Sequence, residues 1–160
     1  MNYIDTLELR AIKGNRASSW VEKINGKVFK SIGENKQGIK EFSFDFKDDD
    51  TCVFKYVNAQ GYKELPFGIN KNVFGKFPQI GYSDMIGKYK TTNGFKYDCA
   101  VSGALMSENI LQFFVQVIDK YLGNMTANFG FKGDLVYVKM VKFAEAFMDE
   151  YEGDFVAKME

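Results

Sequence analysis

Three short boxes along the chain carry residue types that serve serine acyl transfer. Ser83-Asp84-Met85 is one residue from an S-D-N box, Lys90-Thr91-Thr92 is one residue from a K-T-G box, and Tyr56-Val57-Asn58 matches a Tyr-x-Asn box. Such boxes assist a nucleophilic serine whose proton is taken by a lysine one helical turn later, written S-x-x-K. None of Ser18, Ser19, Ser31, Ser43, Ser83, Ser102 or Ser107 has a lysine three residues on, so the boxes read as tripeptide coincidences. Histidine is absent. That removes the commonest general base, the commonest metal ligand and every Ser-His or Cys-His pair. Cys52 and Cys99 lack metal-ligand spacing and read as two small buried thiols, with a disulfide as the lesser alternative. Asp48-Asp49-Asp50 lacks the spaced pattern and glycine of a calcium loop and reads as a solvated hairpin tip. Glu145 and Asp149 fall at helical spacing on an acidic face, and nothing sets them across a cleft as a glycosidase requires. The residues therefore point to no catalytic site, no metal and no cofactor, and the chain alone reads as a non-enzyme.

Composition narrows the class further. The 160 residues suffice for one domain, which at this size buries roughly 70% of its unfolded surface. Hydrophobic residues at 46% and charged ones at 26% describe a globular protein. Sixteen phenylalanines and nine tyrosines suit a β-rich core. Twenty-one basic residues balance 21 acidic ones, which argues against nucleic acid or an anionic membrane as partner. Exposed aromatics could stack bases, but Arg10 and Arg16 are the only arginines. No apolar stretch reaches transmembrane length, and MNYIDTLELRAI lacks the pattern of a signal peptide. The compartment stays open.

The elements that would position any site are mostly strands. Residues 1–23 read as an irregular lead-in, in which Trp20 is a plug for one end of the core, and 24–160 as a single β domain. After the Asn25-Gly26 turn, strands are expected over Lys27–Ile32, Ile39–Lys47, Thr51–Asn58 and Tyr62–Ile69. Residues 70–93 break the rhythm with Gly75, Pro78, Gly81 and Gly87 and read as a long excursion, with at most a short strand near Asp84–Thr91. Strands resume over Phe95–Met106, the stretch to Val117, Met125–Phe131 and Leu135–Phe143. Phe143, Phe147 and Tyr151 then recur at helical spacing, so a short helix or acidic tail is expected at the end. Eight strands joined by short antiparallel turns predict a mainly β fold, a meander closed into a small lipocalin-like barrel. Its many phenylalanines favour a filled interior over an open one.

Met106–Val117 is the central stretch of this scheme. Leu111, Phe113, Val115 and Val117 share one side of an extended chain and read as fully buried. The other side carries Ile110, Gln112, Phe114, Gln116 and Ile118, half apolar and half polar. Interfaces mix apolar anchors with polar groups in this way. The face is therefore a candidate docking surface for another domain or a second copy; the alternative is a ligand-lining wall in which the glutamines orient a polar head group.

Several pieces occur together in order: Ile24-Asn25-Gly26-Lys27-Val28-Phe29, Gly38 to Phe46, Leu65-Pro66-Phe67-Gly68, Ala100 to Leu105, Glu108 to Phe113, and Asn128 to Val136. Over residues 24–140 the chain resembles the C-terminal domain that follows the catalytic domain in bacterial serine hydrolases related to class C β-lactamases and penicillin-binding proteins. Glu108-Asn109-Ile110-Leu111 lacks the threonine of the family strand, and Ala104-Leu105-Met106 stands where a tryptophan is expected. The resemblance implies a lipocalin-like barrel, an accessory role packing on or capping a hydrolase domain, and no catalytic residues in this chain. A stand-alone carrier of a small hydrophobic ligand is the alternative.

Overall fold

The computed structural model describes residues 9–15, 18–86, 89–119, 123–144 and 148–160; within 81–95 the backbone is described and the side chains are not. The described residues form a meander of ten strands with one short α-helix. Helix α1 spans Ser19–Ile24. The strands are β1 (Phe29–Ser31), β2 (Glu41–Phe46), β3 (Thr51–Asn58), β4 (Gly61–Ile69), β5 (Val73–Ile86), β6 (Tyr89–Ser107), β7 (Ile110–Val117), β8 (Asn124–Lys132), β9 (Leu135–Phe143) and β10 (Gly153–Met159).

Neighbours run β4-β3-β2-β1-β10-β9-β8-β7-β6-β5, and a parallel pairing of β4 with β6 closes the ring. Nine strands thus form a lipocalin-like barrel, while β5 pairs with β6 as a long antiparallel ribbon. The seam is short, Gly68 opposite Ser102 and Ile69 opposite Gly103. A Cβ on Gly103 would lie 2.6 Å from the Phe67 ring, so the absence of a side chain there lets the two walls meet.

Three expectations need correcting. The excursion over 70–93 is the β5–β6 ribbon, and its register shifts between Lys76 and Ile80, Ile80 and Tyr82, and Tyr82 and Asp84. Pro78 lies within the first shift, where bulges accommodate a residue that cannot donate to the ladder and blur the alternation. The lead-in is not wholly irregular, because α1 forms within it, with the Ser18 side chain accepting from the Trp20 backbone N–H. The chain does not end in a helix or tail. A 3₁₀ turn at Asp149–Tyr151 leads into β10, whose Phe155 and Ala157 face the core while it pairs with both β9 and β1. Phe147 and Glu145, part of the helical expectation, lie outside the described residues.

Alternation dictates the core. Cys52, Phe54, Tyr56 and Asn58 on β3 are buried, as are Phe42 and Phe44 on β2. On β7, Leu111, Phe113, Val115 and Val117 are buried as their spacing requires. Phe44 on β2 meets Phe129 on β8 with ring centroids 4.9 Å apart, and Phe54 on β3 meets Phe129 at 5.4 Å and Phe113 on β7 at 5.2 Å. In the nine-strand ring, β2 and β8 are diametrically placed, as are β3 and β8. Side chains from opposite walls therefore touch across the barrel axis, and the middle of the barrel is filled. Trp20 stacks on Phe131 at 5.6 Å, closing one end as its size suggested.

Candidate functional site

The end of the barrel away from Trp20 holds buried polar side chains. Tyr56, inward-facing near the end of β3, has its hydroxyl 2.8 Å from the Tyr151 hydroxyl. Tyr151 reaches the same place from the 3₁₀ turn before β10 and donates to Gln79 Oε1 at 2.8 Å. Gln79 Nε2 in turn donates to the Glu150 carboxylate. Proton accounting gives this chain a direction. Tyr151 spends its one proton on Gln79, so Tyr56 donates to Tyr151 and keeps acceptor capacity on its own oxygen. Phe77 packs edge-on against Tyr151 at 5.2 Å, and Lys63 Nζ donates to the Pro78 carbonyl at 3.0 Å, tying β4 to the β5 ribbon.

Burial raises both phenol pKa values well above the ordinary 10.0, so both hydroxyls stay protonated and able to donate at neutral pH. Partial burial, with Lys96 nearby, holds Lys63 below the usual lysine value. Gln37, in the turn between β1 and β2, is 2% exposed, and neither Oε1 nor Nε2 has a hydrogen-bond partner among the described residues. An unpaired buried polar group costs about 1–3 kcal/mol. Cys52 and Cys99 are free and buried. Desolvation pushes the Cys99 thiol up to about 12 and the Cys52 thiol higher still, which suppresses thiolate chemistry at either sulfur.

The five residues singled out on β7 do not form one open surface. Ile110 and Ile118 are exposed at its two ends. Phe114 between them is 5% exposed, because residues 9–15 cross the outside of the barrel as a strap: Ile12 packs on Phe114 and Ala104, and the Arg10 guanidinium stands 4.9 Å over the Phe114 ring. Gln112 donates to Asn128 on the neighbouring strand, and Gln116 keeps a buried Oε1 without a partner among the described residues. The strap is held by Ile12 N–H donating to Ser102 Oγ at 2.9 Å, Gly14 N–H to Asn70 Oδ1 at 2.7 Å, and Asn15 N–H to the Leu105 carbonyl at 2.8 Å.

Of the boxes that opened the sequence, Tyr56-Val57-Asn58 lies on β3, while Ser83–Met85 and Lys90–Thr92 pair across the β5–β6 ribbon. Asp48 caps its own hairpin: its Oδ1 accepts from the Asp50 N–H, the Thr51 N–H and the Thr51 hydroxyl. Asp149 pairs with Lys142. The Tyr56–Tyr151–Gln79 chain escaped sequence reasoning because its members are 95 and 72 residues apart; the one available signal was a tyrosine at an inward position of β3.

No protein-family model matches the chain, and no curated protein matches it. Among solved structures, a fatty-acid-binding protein isolated from Manduca sexta L superposes with a TM-score of 0.49 at 13% identity, covering 86% of this chain and 98% of that one. A likeness at this level bears on neither ligand nor activity. The part of the sequence resemblance that the structure shows is the closed lipocalin-like meander barrel; nothing in these comparisons links the chain to β-lactamases or penicillin-binding proteins.

Proposed function

We propose that this barrel binds a small, mainly apolar molecule bearing one polar group, held at the Tyr56–Tyr151 end, and that the chain has no reaction of its own. The observation behind this reading is the buried hydrogen-bonded chain of Tyr56, Tyr151 and Gln79 at the end of an otherwise aromatic interior. Apolar pockets with a few placed polar groups are the usual form of a small-molecule site. Tyr56 oxygen, with acceptor capacity to spare, suits a ligand that donates through an O–H or N–H. The filled middle of the barrel limits length: the ligand is compact and does not run along the axis as an extended chain would.

A docking role on a hydrolase domain has weaker support. The centre of the β7 outer face is taken by the chain's own strap, so a second domain or a second copy would have to displace Arg10 and Ile12 or use only Ile110 and Ile118.

The mutational test is Tyr56→Phe, which deletes the accepting hydroxyl and keeps the ring. Binding of hexan-1-ol, measured by NMR titration, should weaken about 5- to 10-fold, the order expected for loss of one hydrogen bond of ~1 kcal/mol in a buried chain. Unchanged affinity, or binding to the outer faces of the barrel instead, would remove the reading.

A further inference from the structure

Gln37 is a large polar side chain, 2% exposed, with both its donor and its acceptor unpaired among the described residues. Its surroundings are tightly specified. A Cβ on Gly38 would lie 3.4 Å from the Ala59 Cβ, so this turn abuts the β3–β4 hairpin just past Asn58. On the other side is Gly153, two residues beyond Tyr151. A Cβ there would come within 3.2 Å of Gln37 Nε2, and its φ of +122° disfavours any side chain. Lys36 and Glu152, the residues flanking Gln37 and Gly153, form an ion pair at 3.5 Å that ties the two segments together. The amide is thus held at the same end of the barrel as Tyr56 and Tyr151.

Buried polar atoms are paired in folded proteins with few exceptions, and an exception of this kind calls for a partner, a bound ligand or an ordered water. A glutamine amide offers an N–H donor and a carbonyl acceptor side by side. An ionised carboxylate could accept from Nε2 but would set negative charge against Oε1. A single hydroxyl can meet only part of the demand. A group presenting N–H and C=O on one edge meets both at once.

We propose that Gln37 is the recognition group for a ligand amide edge, a primary amide or the cis-amide of a lactam, which donates to Gln37 Oε1 and accepts from Nε2. This rests on the barrel-end binding reading and names its ligand class. Sites built to hydrogen-bond a ligand discriminate against analogues that leave the buried partners unpaired.

The test uses hexanamide, hexan-1-ol and hexanoate, matched in chain length, titrated into the full chain by NMR with the Gln37 side-chain NH₂ resonances observed directly. Hexanamide should bind about tenfold or more tighter than the other two and shift the Gln37 NH₂ signals. In Gln37→Leu the preference for hexanamide over hexan-1-ol should fall to about one, and the ligand-free variant should melt higher than the parent because an unpaired amide has gone. If all three bind alike and the Gln37 NH₂ signals stay still, Gln37 is satisfied by water only and the inference falls, leaving the binding reading intact. A Gln37→Leu variant that melts lower, or does not fold, also overturns it, since Gln37 then carries structural bonds. If none of the three binds, the barrel-end reading itself fails.

Discussion

Tyr151 shows how much a single side chain can decide here. It closes the barrel end, donates to Gln79, accepts from Tyr56 and packs its ring edge against Phe77. Its role was not legible in the sequence, where its spacing from Phe143 mimicked a helical face. Tyr56 was legible as an inward residue because Cys52, Phe54 and Tyr56 alternate with half-buried Val53, Lys55 and Val57. Gln37 was not, since nothing local distinguishes a buried turn glutamine from an exposed one. The buried titratable groups give a pH prediction. Tyr56, Tyr151, Cys52 and Cys99 all have folded pKa values raised by desolvation, from ordinary values of 10.0 for the phenols and 9.0 for the thiols. A raised folded pKa gives stability that is complete below the unfolded pKa and lost as pH rises above it. Denaturation midpoints should therefore hold steady up to about pH 9 and fall beyond it, the two thiols contributing before the phenols because their ordinary value is lower, and the Cys99 contribution levelling off near its folded value of about 12. In the Tyr56→Phe/Tyr151→Phe variant the fall above pH 10 should be shallower. Equal steepness in the two proteins, or ionisation of all nine tyrosines near pH 10 with the fold intact, would contradict this assignment of burial.

At the scale of elements, β3 and β9 begin and end where the sequence reading placed them, because polar turns bound clean alternation: Asp48–Asp50 and Ala59-Gln60 around one, Lys132–Asp134 before the other. β5 was hidden by Gly75, which stands in register opposite Cys99, and by Pro78 and Gly81, which fall where the ribbon bulges. Helix α1 was hidden by its six-residue length, too short to be stable without packing, and it forms because Trp20 and Ile24 close one end of the barrel. The strap over residues 9–15 was hidden for another reason. Among the described residues it has no ladder beyond one bridge at Asn15 and Leu105, and its order comes from contacts with residues far along the chain. Gly14 is the point of closest approach: a Cβ there would stand 2.6 Å from the Leu105 carbonyl oxygen and 3.0 Å from the Ala104 Cβ. Gly14→Ala should lift the strap and cost about 1–3 kcal/mol, from overpacking and the lost burial of Ile12. Hydrogen exchange should speed up at the Asn15 and Leu105 amides and stay slow at Phe113 and Phe129. Unchanged protection at Asn15 and Leu105 would mean the strap does not bind as described.

For the whole molecule, closure of a mainly β meander was legible from regular short strands and turn residues, and so was a filled interior from the number of phenylalanines. The parallel seam of β4 with β6 was not, because two pairs carry no local sequence pattern and the strands are separated by the whole of β5. The filled middle joins fold to function, since rings from opposite walls meet at 4.9–5.5 Å, leaving ligand binding to the polar end. The most direct measurement of that claim is an NMR titration comparing hexan-1-ol with hexadecan-1-ol, read as chemical-shift changes across the barrel. Both should perturb Tyr56, Phe77, Gln79 and Tyr151, with the sixteen-carbon chain gaining no more than about threefold in affinity. Strong selective binding of the long chain, with shifts at Phe44, Phe54, Phe113 and Phe129, would show that the centre opens to an extended ligand and would contradict the account.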